Sequence, residues 1–73
     1  MTKAARRREQ RERREATERE LSGLRAGLDA AYSVFNHTAD PELLEASILE
    51  ISALQSKYSC MLRSLKAIGR DGP

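Results

Sequence analysis

The chain has no tryptophan, one phenylalanine, two tyrosines, one cysteine and one histidine in 73 residues, and each shortage closes off a class of protein. Cys60 has no cysteine to pair with, so the intrachain disulfide that staples many small domains is excluded. Cys60 and His37 stand in different parts of the chain, with no second thiol or imidazole at ligand spacing, so no metal centre is expected. His37, near the end of a first helix, reads as a residue that caps carbonyls or sits in water. No apolar run is long enough to span a bilayer. The first residues lack the apolar core of a signal peptide, from which a cytoplasmic location is expected. No nucleophile, acid and base recur in a pattern that could converge on a pocket, so neither enzymatic activity nor a cofactor nor a small-molecule substrate is expected.

Helix breakers are also scarce, and where they fall divides the chain. Asp40 is a good N-cap, able to accept from the free amides of a first turn. Pro41 follows at the first helical position, where a missing N–H costs nothing, and Glu42 adds negative charge at the positive end of the helix dipole. No Gly or Pro then intervenes until Gly69, which reads as a C′ residue closing the helix. The expected architecture is all-α, an antiparallel two-helix hairpin. It comprises an Arg/Glu-rich helical or partly disordered arm over 1–20, an amphipathic part of helix 1 over 21–36, a turn over 37–40, helix 2 over 41–68, and a disordered tail over 69–73.

Charge is unevenly placed. Residues 1–14 carry Lys3, Arg6, Arg7, Arg8, Arg11, Arg13 and Arg14 against Glu9 and Glu12, although the whole chain is only +2. Glutamates four residues from arginines, as in Glu9–Arg13 and Glu15–Arg19, suit a solvated helix laced with weak ion pairs. The alternative is an anionic partner bound by Arg6, Arg7, Arg8, Arg11, Arg13 and Arg14. Interleaved glutamates, and the lack of any aromatic residue before Tyr32 to stack on a base, make nucleic acid the less favoured partner.

From Leu21 onward an apolar stripe appears. Leu21, Leu24, Leu28, Ala31 and Phe35 recur at helical spacing, with Gly23 and Gly27 beside them. In helix 2, Leu44, Ile51, Leu54, Tyr58, Met61, Leu65 and Ile68 form an a/d-type seam with Ser47 in its polar slot. Leu43, Ala46, Leu49, Ala53 and Cys60 lie off that seam, so helix 2 is apolar over more than one face. Folded antiparallel, Phe35 meets Leu44, Leu28 meets Ile51, Leu24 meets Leu54 and Leu21 meets Tyr58. Beyond that, Met61, Leu62, Leu65 and Ile68 face Thr17, Arg14 and Gln10. The mismatch points to a shared surface of Leu54, Tyr58, Met61, Leu62, Leu65 and Ile68, used in a homodimeric four-helix bundle or for docking on another helical protein.

The phrase Phe35-Asn36-His37-Thr38-Ala39-Asp40-Pro41-Glu42-Leu43-Leu44, followed by Ala46, Ile48, Glu50, Lys57-Tyr58-Ser59 and Leu62, resembles the small YaaL-like family of unknown function, found largely in Firmicutes. The likeness covers about residues 30–66. It implies a helical hairpin with no assigned activity and adds no mechanism. The chain departs from the family pattern at Ala39, in lacking a tryptophan late in helix 1, and in its Arg/Glu-rich arm. The reading that results is a non-enzymatic helical interaction module, with a small nucleic-acid-associated protein as the alternative.

Overall fold

A computed structural model describes residues 2–70. Two helices, α1 (Lys3–His37) and α2 (Pro41–Arg70), pack antiparallel against each other, and no strand occurs among the described residues. The result is a rod with principal extents of 57 × 14 × 14 Å. Its length follows from α1, since 35 residues at a rise of about 1.5 Å each span roughly 52 Å.

Each helix begins on a side-chain cap. The Ala5 amide donates to Thr2 Oγ1 (3.1 Å) and the Arg6 amide to the Thr2 carbonyl (3.1 Å). The arm that has no apolar stripe is therefore continuous helix, as its strong helix formers allow. At the other cap the Glu42 amide donates to Asp40 Oδ1 (3.0 Å) and the Leu44 amide to the Asp40 carbonyl (2.9 Å). Thr38 Oγ1 accepts from the Asp40 amide at 3.2 Å, holding the connection in a tight turn.

Two boundaries differ from those read in the sequence. α1 runs one residue into the expected turn, to His37. The Thr38 amide donates to the Val34 carbonyl (3.0 Å) and His37 Nδ1 lies 2.7 Å from the Ser33 carbonyl. A carbonyl can only accept, so this nitrogen carries the proton and satisfies one of the orphan acceptors of the last turn. α2 continues through Gly69 to Arg70, so Gly69 is a helical residue rather than the C′ stop expected of it. The first two residues of the expected tail thus belong to α2, and residues 71–73 lie outside the described residues.

The core is narrow. Leu21, Ala31 and Ile68 are the buried hydrophobic residues among those described, joined by Ser47, and no large side chain there is fully buried. Ala31 and Ser47 are the most enclosed, at 3% and 4% exposure. They sit seven residues before Thr38 and seven after Asp40, so two small side chains face each other one heptad from the turn. Small residues there let the helices close, and the larger side chains around them are left at the rim.

Gly27 faces the other helix: a Cβ there would lie 3.5 and 3.8 Å from the two Leu54 methyls, ordinary contact. A Cβ on Gly23 would meet nothing within 4 Å. Neither glycine is required by close approach, and both carry the helix-propensity penalty of about 1 kcal/mol relative to Ala. Gly23→Ala and Gly27→Ala should each therefore raise stability by about 0.5–1 kcal/mol. Urea unfolding followed by circular dichroism checks this, and a loss at Gly27 would mean the helices lie closer than described.

Candidate functional site

Open grooves run along the interhelical seam of the described residues. Glu20, Leu24, Lys57, Cys60 and Met61 line one. Arg25, Leu21, Tyr58 and Leu62 contribute to a second. A third, near the free ends, is lined by Arg13, Thr17, Met61 and Ile68 among others. Among the described residues no group of three or more His, Cys, Asp or Glu is placed to hold a metal ion. No helix there is long and apolar enough to cross a membrane.

Among the described residues, two side-chain hydrogen bonds cross the seam. Arg25 Nη2 donates to Tyr58 Oη at 2.9 Å, and Gln55 Nε2 donates to Tyr32 Oη at 2.9 Å. The Arg25 guanidinium carbon is 6.0 Å from the Tyr58 ring centroid. That is the outer limit of a cation–π contact, so the hydrogen bond is the stronger half of this pairing. Each tyrosine places its ring along the seam and its hydroxyl at the edge, where a long polar side chain from the opposite helix reaches it. The links also mark one flank. Tyr32 lies a heptad after Arg25, and Ile48, Gln55 and Leu62 follow one another at heptad spacing on α2, so all five share one side of the hairpin.

Of the residues proposed to meet a partner, Leu54, Tyr58, Met61, Leu62 and Leu65 are half-buried along the seam and Ile68 is buried. The expectation that the last turns of α2 stand bare against arginines is corrected here. α1 runs beside them: Arg13 and Thr17 share a groove with Met61 and Ile68, and the apolar stem of arginine can shield such surface while its head stays in water. Arg6, Arg7, Arg8, Arg11, Arg13 and Arg14 are all exposed. Asp40 and Pro41 form the α2 start.

The larger exposed apolar surface lies at the opposite end, around the connection. Among the described residues, Tyr32 (41%), Val34 (40%), Phe35 (37%), Leu43 (44%), Ile48 (54%) and Leu49 (67%) are the exposed large hydrophobics. Periodicity assigned Phe35 to the core face, and its position in the last turn of α1, with no helix beyond to cover it, explains its exposure. Leu43 and Leu49 were legible as off-seam positions. Val34 and Tyr32 flank the α1 stripe, and Ile48 flanks the α2 seam on the side of Gln55 and Leu62.

Because the Tyr58 hydroxyl sits at the seam edge and the ring in the seam, the two parts separate by mutation. Tyr58→Phe should cost about 1 kcal/mol or less, the worth of one exposed hydrogen bond. Tyr58→Ala should cost about 2 kcal/mol or more, because the ring is lost from the seam. Thermal unfolding of the two variants measures the split; equal losses would place the stabilisation in the hydroxyl.

Comparison with protein-family models, with curated proteins and with solved structures finds no match to this chain.

Proposed function

We propose that the chain is a non-enzymatic helical interaction module of the cytoplasm that completes its core by association, most simply with a second copy of itself. The observation that carries this reading is the mismatch between apolar content and burial. Six large apolar side chains are 37–67% exposed and gathered at one end, while no large side chain among the described residues is fully buried. A large apolar side chain gains roughly 1.5–3 kcal/mol on passing from full exposure to full burial, of which these retain about half to gain, and a chain of this size commonly relies on oligomerisation for its stability. Two-fold dimers are the commonest closed assembly. Docking on a different helical protein would use the same surface.

Solution mass by light scattering across concentration tests it, with dimer as the expected outcome. Ile48→Asp should then shift the population to monomer at a given concentration. Its 54% exposure in the single hairpin means the hairpin itself loses only a few tenths of a kcal/mol or so. A wild-type chain that stays monomeric at all concentrations would remove the self-association reading.

A second reading has its own support. Lys3, Arg7, Arg11 and Arg14 are exposed and fall within one sector of α1, whereas Glu9 and Glu12 fall on another side. This segregation gives a basic face suited to a phosphate backbone. The expected sign of such binding is a mobility shift of duplex DNA that weakens with salt and is lost on deleting residues 1–14. No shift at low salt would end this alternative.

A further inference from the structure

We infer that two copies of the hairpin pair side by side and antiparallel, so that the connection end of each rod lies against the free end of the other. The inference rests on the self-association reading above and specifies its orientation. It comes from how the hairpin distributes charge along its length. Between Arg25 and Lys57 the chain carries Asp29, Asp40, Glu42, Glu45 and Glu50 and no lysine or arginine. Folding brings this whole stretch to the connection end. At the other end the basic Lys3–Arg14 segment of α1 lies beside the last turns of α2, which add Arg63 and Lys66. A nearly neutral chain thus becomes a rod with an acidic end and a basic end.

Size decides how such rods can meet. A stable interface buries about 800 Å² per partner. One full flank of a 57 × 14 Å profile is on the order of 800 Å², whereas an end face is on the order of 200 Å². End-to-end contact is too small, so the contact must run along the flank. Of the two flank-to-flank arrangements, the parallel one sets acidic end against acidic end and basic against basic. Those like charges would sit within a Debye length of about 10 Å at moderate salt. The antiparallel one opposes unlike charges at both ends through a two-fold axis near mid-rod.

The apolar surface of one flank fits the same orientation. On the flank marked by Arg25 and Tyr32, the exposed Tyr32 and Ile48 lie toward the acidic end, and Leu62, half-buried, lies toward the basic end. An antiparallel partner brings its Tyr32 and Ile48 toward Leu62, which lines a groove with Leu21, Arg25 and Tyr58.

A single spin label at Ala39→Cys, in the full chain with Cys60→Ser, tests the orientation. Ala39 lies in the connection and is exposed, so the label leaves both helices intact. Pulsed dipolar spectroscopy of the dimer should give a label-to-label distance on the order of the 57 Å rod length. Dimer dissociation should rise with salt, and Glu42→Lys combined with Glu45→Lys should raise Kd about tenfold or more at low salt. A short distance, within about two 14 Å rod widths, would overturn the antiparallel orientation while leaving self-association intact. So would a dimer that tightens with salt. A monomer at every concentration and salt would instead remove the self-association reading, and this inference with it.

Discussion

Two helices share one seam, and every other property of this molecule follows from that constraint. In a bundle of three or four, a helix can bury a broad stripe against several neighbours; here each helix has a single neighbour and only a strip of each surface is shielded. A long hairpin lengthens the seam without widening it. Seam side chains such as Leu24, Leu28, Leu44 and Leu54 accordingly remain half-buried, and the best-enclosed residues are the small Ala31 and Ser47. The chain invests its apolar residues in length, and its interior stays one layer thick.

The Asp40 cap sets where that seam starts. Its carboxylate takes the Glu42 amide and its carbonyl the Leu44 amide, and Thr38 restrains it from the other side. With the turn fixed at three residues, the phase of α2 relative to α1 is fixed too, and a shift of one residue would rotate the seam by about 100°. The Arg25–Tyr58 and Gln55–Tyr32 bonds then act as edge clasps on a register already chosen. The charged arm, lacking an apolar stripe, still contributes to packing, because it stays helical beside α2, where Arg13 and Thr17 share a groove with Met61 and Ile68.

Local chemistry was the legible part of this fold. Asp40 and Pro41 announced the α2 start from residue type and spacing alone, and the leucine stripe from Leu21 gave the face of α1 that meets α2. Features that depend on what a neighbour does were less readable. Gly69 is a good stop signal in isolation, yet the helix passes through it. His37 joins α1 because its own ring satisfies a carbonyl of the last turn. Pairing by distance from the loop placed Phe35 in the core and left Ile68 bare. The hairpin does the reverse, since a terminal turn has no flanking layer to cover it while arginine stems can lie along a seam. Exposure at the connection end is therefore a property of the tip of a two-helix fold, which composition and periodicity do not encode.

The rod's proportions have a hydrodynamic consequence. Its radius of gyration is 16.9 Å, against about 11 Å for a compact domain of the same chain length. A single copy therefore sweeps out the volume of a much heavier sphere, and it would migrate through a porous matrix ahead of globular proteins of equal mass. Tumbling is unequal as well: rotation about the long axis is fast and end-over-end rotation slow. Backbone amides, whose N–H vectors lie nearly along the helix axes, report the slow motion. Pairing two rods flank to flank thickens the particle while barely lengthening it. Association would thus change its mass twofold but its end-over-end rotation by much less than twofold.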